Sequence, residues 1–250
     1  MNKLAIIAFA LLITLSSMLW FLANGSLNEF IKSQIQLQGH YYTGQTTNIV
    51  LSDFSSSTGT GEFKQLAILN LDGYKDKYAL TIDEAQVELV KQPTNPLLTQ
   101  IKKLTINKLT LHIEKISGKT TNIEQLIDKA ALTLAKDYPE LYPNISAKIY
   151  AQQNPQLNAE EYAESHPQAG PIVEHTKAKK KRGKPQGKIN IAEITINTVE
   201  FITIENNISK SKSINNVTIA SLGGEQGIVT NQLGGVILVS LLNLANTDKS

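Results

Sequence analysis

The chain has 250 residues, 41% of them hydrophobic and 18% charged, and its 24 basic side chains nearly balance 22 acidic ones. That composition supports a buried core and excludes a nucleic-acid binder that works through global charge. The absence of cysteine excludes disulfide frameworks, thiolate metal sites, cysteine nucleophiles and a bacterial lipoprotein anchor.

Met1-Asn2-Lys3 is followed by an uncharged run from Leu4 to Ala23. As a helix this run spans roughly 30 Å, the hydrocarbon thickness of a bilayer. Trp20 and Phe21 stand near its distal end, where aromatic rings favour the interface. Lys3 leads and Asn24-Gly25-Ser26 carries no charge, so the N-terminus is expected in the cytoplasm and the rest of the chain outside it. A cleaved signal peptide is the competing reading, since Ala23 and Gly25 suit a signal peptidase. The apolar run is long for that role. Leu27, Phe30, Ile31 and Ile35 then predict an amphipathic helix ending at Gly39.

From there the apolar period changes to two. Ile49 and Leu51, then Phe63, Leu66, Ile68 and Leu71, then Leu80, Ile82, Val87 and Leu89 fall in short runs. Turn residues at Ser55–Gly61 and Leu71–Tyr74 divide them, as in an antiparallel meander. Residues 101–115 form the longest predicted strand, and its alternation changes phase between Ile106 and Leu109, as a bulge or kink requires.

A helix follows, with Ile123, Leu126, Ile127, Ala130, Ala131 and Leu134 on one face. Thr121 or Asn122 would cap it and Tyr138-Pro139 would close it. Residues 152–188 hold Pro155, Pro167, Pro171 and Pro185, have little apolar period, and read as a disordered linker. The β pattern then resumes and repeats itself. Leu104-Thr105-Ile106-Asn107-Lys108-Leu109 is matched by Ile194-Thr195-Ile196-Asn197-Thr198-Val199, and the flanks agree if one residue is inserted. A last strand over 214–222, a glycine turn at 223–227 and a hydrophobic helix over 231–245 complete the chain. The expected fold is α+β and β-rich, with an N-terminal transmembrane helix, an antiparallel curved sheet and a few amphipathic helices. Its parts are an anchor (1–25), a first β block with helix (26–151), the linker (152–188) and a second β block (189–250).

Several of these features resemble a known family. Asn70-Leu71-Asp72-Gly73-Tyr74 stands where that family has Asn-Pro-x-Gly-aromatic, with leucine in place of the proline. The strand Ala79-Leu80-Thr81-Ile82, the long strand through Leu111, and Thr121-Asn122-Ile123 opening a helix follow in the family's order. Leu222-Gly223-Gly224, then Ile228-Val229-Thr230 leading into a helix, is similar to its shorter members. The chain thus resembles the AsmA-like proteins of the bacterial envelope. That resemblance implies an inner-membrane anchor, a periplasmic β-rich body related to bridge-like lipid-transfer proteins, and a part in envelope lipid homeostasis.

The residues offer no catalytic set. His166 and His175 have no third ligand in register, so no metal site is expected. His112 alternates outward between Leu111 and Ile113 and reads as a solvent-facing strand histidine. His40-Tyr41-Tyr42 reads as a loop cluster or as a membrane-surface group. Gly223–Gly227 lacks the lysine and hydroxyl of a phosphate loop. Leu71–Asp76 lacks the bidentate glutamate of a calcium loop, and no serine sits in a nucleophile elbow. Neither an enzyme activity nor a cofactor is expected. The basic run of Lys177, Lys179, Lys180, Lys181, Arg182 and Lys184 is a candidate for anionic headgroups, at about 1 kcal/mol per residue, or a solvated part of the linker.

Candidate lipid contacts are Leu104, Ile106, Leu109, Leu111 and Ile113, with Ile194, Ile196, Val199 and Phe201 in the repeat. An open apolar groove of this kind could hold acyl chains at about 0.8 kcal/mol per methylene; a closed core under the helices would use the same residues. Eight or nine strands stack to roughly 40 Å, too short to bridge two membranes. Expected partners are the inner membrane, phospholipid and another envelope protein, the last through sheet-edge pairing; nucleic acid is not among them.

Overall fold

The computed structural model describes residues 27–91, 98–116, 120–139, 141, 142, 145, 187–205 and 208–247. The expected anchor, nearly all of the linker and its basic run lie outside these residues. Among the described residues no helix is long and apolar enough to cross a membrane.

Helix α1 (Leu27–Thr43) opens the described chain. It continues past Gly39, the residue expected to end it. A β-carbon there would stand 2.2 Å from Thr47 Oγ1, so glycine lets the helix pass close to the first strand. The stop comes at Gly44, whose φ of 71° is left-handed and whose N–H donates to His40 O at 2.7 Å.

Four antiparallel strands follow: β1 (Thr47–Ser55), β2 (Thr60–Leu69), β3 (Tyr78–Leu89) and β4 (Leu98–Glu114). Helix α2 (Asn122–Asp137) comes next, with a capping box in which Thr121 Oγ1 accepts from Glu124 N and Glu124 accepts from Thr121 N. Its inward face is the expected one, with Ile123, Leu126, Ala130 and Leu134 buried. Beyond the linker come β5 (Lys188–Ile191), β6 (Ile194–Glu205), β7 (Ile208–Ile219) and β8 (Ile228–Val229). Lys188, taken as the linker's end, is therefore the first residue of a strand. The expected last helix is three pieces: a 3-10 turn (Thr230–Gln232), α3 (Leu233–Leu242) and α4 (Leu244–Thr247).

The two β blocks share a single mixed sheet. Strand β6 pairs with β4 in parallel, from Leu104 beside Ile194 to Glu114 beside Ile204, and β7 pairs antiparallel with β6. The boundary drawn between blocks therefore separates neighbours in space. The repeated hexapeptides are these two strands, each residue beside its counterpart ninety positions on. No residue is inserted between them as far as Glu114 and Ile204, contrary to the one-residue offset expected in the flanks. A parallel pair needs a crossover, and α2 lies in it.

A crease crosses the sheet. The ladder skips Val50 opposite Gln65, Gln65 opposite Asp83, and Asp83-Glu84 opposite Asn107-Lys108. The skipped line continues through Asn107 beside Asn197 and Asn197 opposite Asn216. Register is unchanged across the crease, so it is not a bulge; the register shifts lie elsewhere, at Ile68/Leu69 and Glu88/Leu89. Gln65 and Asn216, with φ of 54° and 57°, are the described non-glycine residues in the left-handed region. Inward residues on the two sides of the crease are three apart in each of the six strands it crosses: Ile49 and Ser52, Phe63 and Leu66, Ile82 and Ala85, Ile106 and Leu109, Ile196 and Val199, Ile214 and Val217. The phase change read in the long strand is one section of this crease.

The helices pack together and against the sheet, with α1 along β1 and α2 and α3 in mutual contact. At the α1–α3 contact Gly235 faces the Tyr42 ring, where a β-carbon would come within 2.6 Å. Tyr42 is buried and its hydroxyl donates to Asn231 O at 2.8 Å.

Candidate functional site

Strands β4 and β6 put all nine candidate lipid contacts in or against the hydrophobic core. Ile106, Leu109, Leu111, Ile194, Ile196, Val199 and Phe201 are at most 1% exposed, while Leu104 and Ile113 are half-buried. The seven thus form a closed core in this conformation, as the helix-covered alternative expected. On the half of the sheet that begins at the crease, Ile68, Leu80, Leu111 and Phe201 form one buried row in register.

On the other side of the crease the second row is less covered. Phe54, Gly61, Val87, Leu104, Ile194 and Ile219 pair in order across six strands. Phe54, Val87, Leu104 and Ile219 are half-buried. Gly61 is required beneath them, since a β-carbon would lie 2.9 Å from both the Phe54 ring and Val87 Cγ1. Parity alone could not reveal this row, because the crease moves its residues to the opposite phase from Leu109 and Leu111.

The opposite face of the same strands is polar. Ion pairs join Lys108 to Glu200 at 2.8 Å and Lys103 to Glu193 at 3.3 Å across the β4–β6 boundary. The Lys108 ammonium beside Glu200 holds its carboxyl below the usual range, helped by a hydrogen bond from Ser211. A shallow cleft of about 390 Å³ lies near this margin, lined by Asp53, Glu62, Gln86, Glu88 and Lys103 among others. Its lining is net acidic, with Asp53, Glu62 and Glu88 against Lys103, although Glu62 and Glu88 are each paired with a lysine outside it, Lys64 and Lys102.

A buried polar clasp, not foreseen from the sequence, holds the 70–77 loop against β4 and α2. Asn122 is fully buried; its Oδ1 accepts from Glu114 N at 2.8 Å, and its Nδ2 donates to His112 O and Asn70 Oδ1. Glu114 Oε2 accepts from Lys75 N at 2.7 Å and from Asp76 N at 3.3 Å. His112 is not solvent-facing: Nδ1 lies 2.8 Å from Asp76 Oδ2 and the ring is mostly covered. Tyr74 completes the clasp, its hydroxyl donating to Thr120 O and accepting from Gln125 Nε2. The stretch that resembles the family's Asn-x-x-Gly-aromatic pattern is therefore a structural anchor point. Every polar group of the clasp named here is used to position backbone or a neighbouring side chain, and none is aimed at an open cavity.

His40 is exposed and belongs to the helix, with Nδ1 3.3 Å from Gln45 O. With Leu37, Tyr41, Tyr42, Asp137 and Tyr138 it lines a second cleft, of about 410 Å³, at the C-terminal ends of α1 and α2. There the Tyr41 hydroxyl donates to the Asp137 carboxylate at 2.7 Å, and that bond raises its pKa. Burial raises that of Tyr42 further. Among the described residues no group of three histidines and acids is placed to hold a metal; His166, His175 and the basic run lie outside them. No family model matches the chain, and no curated protein does.

Proposed function

We propose that the chain is an inner-membrane-anchored periplasmic protein of AsmA-like type, with its N-terminus cytoplasmic, that handles phospholipid without catalysis in envelope lipid homeostasis. The observation that carries this reading is the half-buried apolar row of Phe54, Val87, Leu104 and Ile219 across the sheet. Val87, Leu104 and Ile219 pack against the core, and with Phe54 they keep part of their apolar surface open, area against which an acyl chain can lie. The candidate contacts then reduce to Leu104 on β4 and its row neighbours, with the deeper residues of β4 and β6 supporting them from below.

A second reading is favoured by a specific feature of β7. Among the described residues β7 pairs only with β6, and its residues from Ile208 to Ser213 are all exposed. An unpaired edge of that length can accept an added strand from an envelope partner.

Native mass spectrometry of the full-length protein extracted in mild detergent separates the two. Retained phospholipid that is lost in Leu104→Asp or Val87→Asp, with little change in melting temperature, supports lipid handling. A co-purifying polypeptide with no phospholipid at any stage overturns it in favour of the scaffold.

A further inference from the structure

Most of one face of α1 is left uncovered by the described residues. Leu27, Phe30, Gln34, Leu37 and Tyr41 succeed one another at spacings of three, four, three and four, the repeat of a two-helix seam. All five are exposed, Phe30 at 58%, Leu37 at 60% and Tyr41 at 52%. Leu27, Phe30, Gln34 and Leu37 face outward, while Tyr41 at the end of the stripe is tied by its hydroxyl to Asp137 of α2. On the other side of the helix Gly39 lies against Thr47, and the Lys32 ammonium donates to Val50 O at 3.1 Å. Leucine and phenylalanine on a solvated helix at this spacing expose apolar area that a neighbour would remove from water.

We propose that this stripe pairs α1 with α1 of a second copy, in parallel. Three observations select that occupant. First, the flank of the stripe carries Glu29, His40 and uncharged side chains, while the only lysine of the helix reaches to β1. A helix lying on an anionic bilayer would carry basic residues along that flank. Second, the middle position is Gln34, a side chain with both a donor and an acceptor that can pair with its own symmetry mate. One polar residue in an apolar seam fixes register and favours identical partners. Third, the helix begins four residues after the uncharged run Leu4–Ala23. If that run is the anchor, two copies share one membrane, are oriented the same way and meet at high effective concentration. The parallel direction rests on the anchor reading; the pairing itself does not.

The absence of cysteine makes the test direct. Single-cysteine variants of the full-length protein, Phe30→Cys and Leu37→Cys on the stripe and Glu29→Cys and Asn48→Cys off it, are oxidised in native membranes. Disulfide-linked dimers should form at 30 and 37 with at least about fivefold higher yield than at 29 or 48, because seam positions meet their own counterparts in a parallel pair. Adding Gln34→Lys to Leu37→Cys should abolish that excess by opposing two like charges. Because all these residues are exposed, the variants should melt as the parent does. Equal yields on and off the stripe overturn the pairing; if Leu37→Cys is then shielded from a water-soluble maleimide, a lipid surface or another part of the chain covers the stripe instead. Alkaline carbonate extraction of the same membranes checks the anchor separately. Release of the protein there ends the anchor reading and leaves the cross-linking result standing.

Discussion

Asn197 donates from Nδ2 to Asn107 Oδ1 at 3.3 Å, so two asparagines ninety positions apart lie side by side on parallel strands. Both sit on the crease, where the ladder omits their backbone pairing, and their side chains bridge the gap it leaves. The same offset brings Thr105 Oγ1 within 3.4 Å of Thr195 Oγ1. The repetition in the sequence is thus the pairing register of the sheet, read along the chain.

The crease is held by the left-handed residues. Gln65→Val should destabilise the protein by about 1–2 kcal/mol, since a β-branched side chain resists positive φ. Gln65→Gly should be neutral or slightly stabilising, as glycine adopts that region freely. Thermal melts of the full-length protein in detergent compare the two, and equal losses would contradict a conformational cause.

Leu111 and Phe201 test the core. Each is at most 1% exposed, so Leu111→Ser or Phe201→Ser should cost several kcal/mol, about 3–5, from lost apolar contacts and an unpartnered hydroxyl. A change below about 1 kcal/mol by chemical denaturation would mean that the core opens readily.

The clasp should be intolerant of truncation. Asn122→Ala leaves Glu114 N, His112 O and Asn70 Oδ1 without this partner. Each buried group left unpaired costs about 1–3 kcal/mol. Faster proteolysis within residues 70–77, together with a lowered melting temperature, is the expected result, and an unchanged digestion pattern would argue against the clasp.

Acid should weaken the β4–β6 boundary. The folded-state pKa of Glu200 is lowered by the Lys108 ammonium, so its contribution is present above the ordinary carboxylate range and is lost as pH falls through the lowered value. As both side chains are partly exposed, the pair contributes at most about 1 kcal/mol. Glu200→Gln should melt earlier than the parent at neutral pH and converge with it in strong acid.

Helix α2 and the four-strand meander were legible because local signals and the global fold agree there. A Thr-x-x-Glu box opens the helix, and polar turns divide the apolar runs. The end of α1 was not, because Gly39 punctuates the sequence yet serves a close approach to Thr47 that only tertiary packing creates. Unity of the two blocks was hidden for a related reason: a parallel pairing across a long connection leaves no mark on either strand alone. The partner of His112, Asp76, lies 36 positions away in the sequence, and alternation identifies the face that carries the candidate lipid contacts but not the helices that cover it.

The parallel pairing of β4 with β6 also sets an order of events during synthesis. Strands β1 to β4 are joined by short connections and can assemble as soon as they emerge. The partner of β4 follows only after the chain from Lys115 to Glu193 has been made, roughly 4–16 s at ordinary elongation rates. Throughout that interval β4, an apolar strand destined for the middle of a sheet, is an open edge, the state most exposed to mispairing. The polar clasp closes from one side early, since Asn70, Glu114 and Asn122 are all made before the long connection. Its place in the fold is therefore also a place in time: it can hold the half-built sheet in register until β6 arrives.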